Sequence, residues 1–259
     1  MKRVIALVLF FFGYQLLFQT LGMLAALIVE MMQTGSWGEW SMDRPASIAG
    51  LLGGQILATL AIGLHVLWAK DIEFGQRTLA VGPFRQLVLA VLLMVSMGVW
   101  TNYLTECLDL PDYNAQLVRQ MMDQPWGILC IALLAPVAEE LLFRGAIQQR
   151  LFRLWQRPSW AIAGSALIFG LAHLNPMQIP FAILMGLALG TVYQQTGSLL
   201  FCIVMHIVNN GGAVLLYYLS RDTAESTMAD ALGETGALVL AVAGVLVSIG
   251  CLRLLKNCR

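Results

Sequence analysis

The sequence predicts an all-α integral membrane protein, a polytopic bundle of about eight transmembrane helices with both ends in the cytoplasm. Of the 259 residues, 59% are hydrophobic and only 12% are charged. In a soluble domain about 45–50% of the residues are apolar and about 25% are charged. This composition excludes a water-exposed globule. Eight spans of about 20 residues each leave too few residues for a separate soluble domain. Residues 1–259 are therefore predicted to form a single membrane domain.

Hydropathy places the spans near residues 4–29, 46–69, 87–105, 126–147, 159–174, 180–195, 199–219 and 236–252. The first begins like a signal peptide, but its apolar run continues well beyond an h-region of about 7–15 residues, which predicts a retained helix. Segments 159–174 and 180–195 are short for full crossings, and a turn with two prolines separates them. Residues 159–195 are therefore predicted to form either two short spans or a re-entrant hairpin.

The distribution of basic residues predicts the orientation. If the spans alternate from a cytoplasmic N-terminus, eleven Lys and Arg residues lie on the cytoplasmic side and three lie outside. The three outside are Arg44, Arg119 and Arg221. The positive-inside rule therefore favours eight spans with both ends cytoplasmic.

Small residues and one amphipathic segment predict further packing features. Gly50, Gly53 and Gly54 cluster in the second span, and Gly186 and Gly190 have the GxxxG spacing. Such spacing is typical of closely packed transmembrane helices. Residues 113–123 mix apolar and polar side chains and predict an interfacial helix on the outer side.

The fourth predicted span contains charged residues that are costly in a bilayer. A charge at the bilayer centre costs about 2.5–3.5 kcal/mol on insertion scales, and such residues are functional candidates. Glu140 and Arg144 are four residues apart, so they share a helix face and can pair. Glu139 points about 100° away and is free to face a cavity. A buried ion pair that holds helices together and a proton relay are the alternatives at this point.

Two later segments add histidines and an asparagine. Phe169 and His173 end the fifth predicted span, while His206 and Asn210 share a face of the seventh. Peptide hydrolysis requires a base that activates water and donors for the oxyanion. Glu139 with His173 can supply the base, and His206 with Asn210 can supply the donors. The sequence has no GxSxG, HExxH or phosphate-binding loop, although a serine or cysteine nucleophile stays open.

These motifs resemble those of the CAAX protease and bacteriocin-processing family, also called the ABI family, which includes the type II CAAX prenyl endopeptidases. The resemblance is carried, in this order, by Glu139-Glu140-x-x-x-Arg144, Phe169-x-x-x-His173 and His206-x-x-x-Asn210. It covers roughly residues 136–210, within a predicted catalytic core of about 126–219.

The resemblance implies a glutamate-type intramembrane endopeptidase without a metal cofactor. Glu139 and His173 match the residues that activate water, and His206 and Asn210 match those of the oxyanion site. Glu140, Arg144 and Phe169 match supporting positions. The implied partners are membrane lipid and a membrane-associated or lipid-anchored protein or peptide substrate, with no nucleic acid. The short loops suggest a prokaryotic relative, in a bacterial inner membrane with the active site toward the cytoplasm.

Three other interpretations fit parts of the pattern. Glu139, His173 and His206 are residue types that also bind a catalytic zinc ion. The second interpretation is a non-enzymatic immunity or binding protein. A proton-coupled transporter is disfavoured because the first three spans offer few polar residues beyond His65 and Gln55.

Overall fold

The computed structural model describes residues 1–35, 44–220 and 227–256, and every regular element in these residues is a helix. The helices are α1 Lys2–Thr34, α2 Pro45–Trp68, α3 Phe84–Leu108, α4 Ala115–Met122, α5 Pro125–Trp155, α6 Pro158–Ala172, α7 Gln178–Thr196, α8 Leu199–Ser220 and α9 Met228–Lys256. Six of them, all except α4, α6 and α7, are long and apolar enough to cross a membrane. The predicted all-α membrane bundle is confirmed. The orientation stays a prediction, and Arg221 and the C-terminal Arg259 lie outside the described residues.

Proline and glycine set several helix ends, as the sequence alone indicates. Pro45, Pro125 and Pro158 begin α2, α5 and α6, where the missing N–H of proline costs no helical hydrogen bond. Gly35 and Gly197 end α1 and α7 with φ of 73° and 69°. Glycine adopts this left-handed conformation without the steric penalty of a side chain.

Helices α6 and α7 pack against each other as the hairpin predicted for residues 159–195. Helix α6 has 15 residues, about 22 Å at 1.5 Å per residue, which is less than the roughly 30 Å hydrocarbon core. At the hairpin tip, the Nδ2 of Asn175 donates to the Oδ1 of Asp112 at 2.8 Å. Asp112 follows α3, in a loop that the charge pattern assigns to the outer side. This contact ties the hairpin tip to the loop after α3, and the choice between two short spans and a re-entrant hairpin stays a prediction.

Helices α1 and α2 pack with almost touching backbones. A Cβ atom on Gly54 would lie 2.5 Å from the carbonyl oxygen of Phe18, and one on Gly50 would lie 2.9 Å from the Cβ of Ala26. The close packing predicted for these glycines is therefore present. Gly53, in the same predicted cluster, faces open space, since a Cβ atom at this position would meet nothing within 4 Å.

The two adjacent glycines give a matched test of this packing. We expect Gly54→Leu to destabilise the protein by about 1–3 kcal/mol, the usual cost of overpacking, because the Phe18 carbonyl cannot move away from the new side chain. Gly53→Leu is the control and should leave the melting temperature in detergent micelles close to wild type. Equal effects of the two substitutions would contradict the α1–α2 arrangement.

Candidate active site

The glutamates lie on a part of α5 whose winding is irregular. Two stretches, Cys130–Leu134 and Leu141–Gln148, are wound as a π-helix, and Glu139 and Glu140 lie between them. Pro136 contributes a local cause, because a proline inside a helix removes one backbone donor and clashes with the carbonyl four residues back. Such π-helical turns are frequent at functional sites.

The first π-helical stretch also anchors Asn210. The Ala135 N–H donates to the carbonyl of Cys130, five residues back, and Pro136 has no N–H to donate. The carbonyl of Ile131 therefore lacks its usual helical donors. The Nδ2 of Asn210, on α8, donates to this carbonyl at 3.0 Å, so the winding of α5 determines where the Asn210 amide lies.

The neighbouring glutamates have different surroundings. The Glu140 side chain is 0% exposed, whereas the Glu139 side chain is 22% exposed. The Oε1 of Glu140 accepts from Arg144 Nη1 at 2.6 Å and from His206 Nδ1 at 2.8 Å. The (i, i+4) pairing of Glu140 with Arg144 is the one that the spacing predicts. Glu140 therefore holds two side chains in place, and Glu139 is the glutamate whose side chain is partly exposed.

His206 connects the two carboxylates. Because a carboxylate only accepts hydrogen bonds, the Nδ1 of His206 carries the hydrogen that is donated to Glu140. The opposite nitrogen, Nε2, lies 3.6 Å from the Oε2 of Glu139. In the imidazolium form this nitrogen also carries a hydrogen, on the side where Glu139 lies. The ring is buried, with 3% of the side chain exposed.

Phe169 holds the positions of the basic side chains. The guanidinium carbon of Arg144 lies 4.6 Å from the centroid of the Phe169 ring, within the range of a cation–π interaction. The rings of His173 and His206 both pack edge-on against Phe169, at centroid distances of 5.0 and 5.9 Å. Phe169, which is predicted to be a supporting residue, thus contacts Arg144, His173 and His206.

His173 lies at the end of α6 and is not bonded to Glu139. Its Nδ1 lies 2.9 Å from the carbonyl oxygen of Phe169, which can only accept, so Nδ1 carries the hydrogen and Nε2 is an acceptor in the neutral ring. Within the described residues, His173 forms no ion pair with either glutamate. Of the two histidines, His206 is the one that lies within ion-pair distance of Glu139 in the described residues.

Glu139 also lines a small cavity. It encloses about 20 Å³, which is enough for one water molecule. Its polar lining consists of Glu139 together with Gln15, Gln55 and Thr59 from α1 and α2. A water bound here is within reach of the Glu139 carboxylate.

The described part of the chain contains no group of three or more His, Cys, Asp or Glu residues placed to hold a metal ion. The three residues of the zinc interpretation include His173, whose contacts are with Phe169. Independence of metal stays a prediction, to be tested with chelators.

Two polar contacts within the helical bundle were not predicted from the sequence. Asn175 is fully buried, and besides bonding Asp112 it accepts from the Tyr113 N–H at 3.3 Å. This contact fixes the turn that follows His173. His65 has no polar neighbour in sequence, but its Nδ1 lies 2.8 Å from the hydroxyl of Tyr14 on α1. In the sequence, these contacts are indicated only by an asparagine directly before a proline and by a single histidine within an apolar span.

Comparison with known proteins agrees with the motifs. Residues 122–212, about a third of the chain, match the family model described as Type II CAAX prenyl endopeptidase Rce1-like. The predicted resemblance is confirmed by this match, which covers all seven residues that carry the three motifs. No curated protein and no solved structure matches the chain significantly. The fold and the matched family together indicate a multi-pass membrane protein related to CAAX-type intramembrane endopeptidases.

Proposed function

We propose that the protein is a glutamate-type intramembrane endopeptidase that hydrolyses a peptide bond of a membrane-associated or lipid-anchored protein or peptide. One observation carries the proposal: Glu139 is the partly exposed member of the glutamate pair, its Oε2 lies 3.6 Å from His206 Nε2, and it also lines a water-sized cavity. We also propose a bacterial inner membrane as its location, with the site accessible from the cytoplasm. The short loops and the distribution of basic residues support this location.

In the first step Glu139 acts as the general base. Its carboxylate removes a proton from water, and the water oxygen forms a bond to the carbonyl carbon of the substrate. We assign His173 to the same step through its Nε2 acceptor, because catalytic hydrogen bonds often tighten only when substrate is bound. The product of this step is a tetrahedral oxyanion.

His206 and Asn210 stabilise that oxyanion. In the imidazolium form, His206 keeps Nδ1 bonded to Glu140 and donates from Nε2. The amide nitrogen of Asn210 has two hydrogens, of which one is donated to Ile131, so the second is available to the oxyanion. Donors fixed before the reaction stabilise the developing charge without reorganisation.

In the last step the tetrahedral intermediate collapses. Glu139 returns the proton to the leaving nitrogen, the carbon–nitrogen bond breaks, and the products are a carboxylic acid and an amine. Glu139 is then ionised again. Glu140 and Arg144 take no proton in this scheme; they position His206 and Phe169.

Product termini test this function and identify the substrate. Membrane-protein N- and C-termini should be compared by mass spectrometry in cells that carry wild type or Glu139→Gln at matched expression. We expect new termini only with the wild type. Glu234→Gln, at an exposed position, is the control and should give the wild-type pattern. If the termini agree while the mutant keeps the wild-type phenotype, the protein acts by binding a partner.

A further inference from the structure

Four polar side chains form a hydrogen-bonded cluster between α1 and α2, outside the three motifs. The Nε2 of Gln19 donates to the Oε1 of Gln15 at 3.2 Å and to the Oε1 of Gln55 at 2.9 Å. The Nε2 of Gln55 lies 3.4 Å from the hydroxyl oxygen of Thr59. We name these residues the glutamine cluster. Polar side chains inside the membrane mark functional sites by default.

We propose that the glutamine cluster is a water-binding site, in which Thr59 and Gln55 hold the hydrolytic water against Glu139. The inference rests on the proposed function, and it adds two positioning residues from α2. The Thr59 side chain is buried, and both residues line the small cavity together with the glutamate. The cavity therefore has polar lining residues from α2 and from α5.

The hydrogen bonds orient donors toward the cavity. The Oε1 atoms of Gln15 and Gln55 accept from Gln19, so the amide nitrogens of these two residues point away from Gln19. The amide nitrogen of Gln55 points to Thr59. The Thr59 hydroxyl oxygen thus accepts from Gln55, and its own hydrogen is donated either to the Cys130 thiol, with which it is hydrogen-bonded, or to a water. The competing neighbour is the thiol of Cys130, which is a weak acceptor.

A water in this position has the orientation that hydrolysis needs. A water molecule has two hydrogens and two lone pairs. One hydrogen is donated to Glu139, and one lone pair accepts from the Thr59 hydroxyl. The other lone pair remains free to attack the substrate carbonyl. The proton passes to Glu139 as the oxygen–carbon bond forms, so no further reactant is required.

Bound water can be tested without a substrate. The purified protein in lipid nanodiscs should be exposed to X-ray-generated hydroxyl radicals in ¹⁸O-labelled water, which modify side chains next to bound water. We expect ¹⁸O at Phe11, which lines the cavity, and not at the buried Phe201. Labelling of Phe11 should disappear in Thr59→Val combined with Gln55→Leu. Unchanged labelling in that variant, or none in the wild type, overturns the proposal.

Kinetics test whether this water is the one that reacts. On the peptide identified from the product termini, Thr59→Val should lower kcat about 100-fold, the size of effect expected for a misplaced reactant, with KM little changed. Thr59→Ser keeps the hydroxyl and should restore most of the rate. Thr101→Val removes a buried hydroxyl of α3 that bonds to the Met97 carbonyl, away from the cavity, and is the control.

The outcomes separate this inference from the proposed function. If Glu139→Gln is inactive but Thr59→Val turns over like wild type, the function stands and the water site is wrong. If Glu139→Gln stays active, the proposed function itself fails. A loss of activity in Thr59→Val that Thr59→Ser does not restore would indicate a packing role and would also overturn the water site.

Discussion

Glu139→Gln is expected to lower kcat by about 10²–10⁴-fold, the usual contribution of a general base. Glutamine has nearly the shape of glutamate but cannot accept a proton from water, so the first step of the proposed reaction loses its base. KM should change little, because Glu139 acts on the water and not on the bound peptide. The measurement is initial rate against substrate concentration, with purified protein in lipid nanodiscs.

The same variant should keep the fold. Glu139 is partly exposed, and its Oε2 lies 3.6 Å from His206 Nε2, beyond the length of a normal hydrogen bond. The melting temperature of the variant should therefore stay close to that of wild type. Glu234→Gln provides the matched control for the change of charge. A Glu139→Gln protein that folds and retains more than about a tenth of wild-type kcat would contradict the general base role.

The helices were predictable because their positions follow from the residues within and next to each helix. Hydropathy identifies the long spans, and prolines and glycines mark several of their ends. The same reasoning singles out 159–195 as exceptional because its two apolar runs are short. How deep that hairpin extends depends on the contact between Asn175 and Asp112, which are far apart in sequence.

The site was predictable only within each helix. The spacing of Glu140 and Arg144 places them on one face, and they pair. The position of His206 between both carboxylates depends on how α5 and α8 pack, which helical spacing does not specify. From the sequence, His173 is predicted to act with Glu139, and this stays a prediction. The place of His206 Nε2, 3.6 Å from that carboxylate, could be found only from the structure.

Other parts of the site have weaker signals in the sequence. Pro136 inside an apolar span indicates irregular winding, and that winding frees the carbonyl that Asn210 contacts. Gln15 and Gln19, like Gln55 and Thr59, are four residues apart, so each pair lies on one helix face. Pairing the two faces requires the close approach of α1 and α2 that the glycines permit.

Arg144→Met should cause the largest loss of stability, about 3–5 kcal/mol, the range measured when one member of a buried ion pair is removed. The Arg144 and Glu140 side chains are 1% and 0% exposed, so the remaining carboxylate would keep only its bond to His206. The variant also loses the contact of the guanidinium with the Phe169 ring. The measurement is the free energy of unfolding in detergent micelles.

An exposed ion pair provides the control for this prediction. Arg153 and Glu73 are also paired, but their side chains are 37% and 71% exposed. Arg153→Met should therefore cost less than about 1 kcal/mol, as is usual for surface pairs. Combining Arg144→Met with Glu140→Gln removes both buried charges, and this double variant should be more stable than Arg144→Met alone. If Arg144→Met and Arg153→Met cost the same, Glu140 does not depend on Arg144 as its counter-ion. In that case, the pairing of Glu140 with Arg144 would not explain how His206 is positioned.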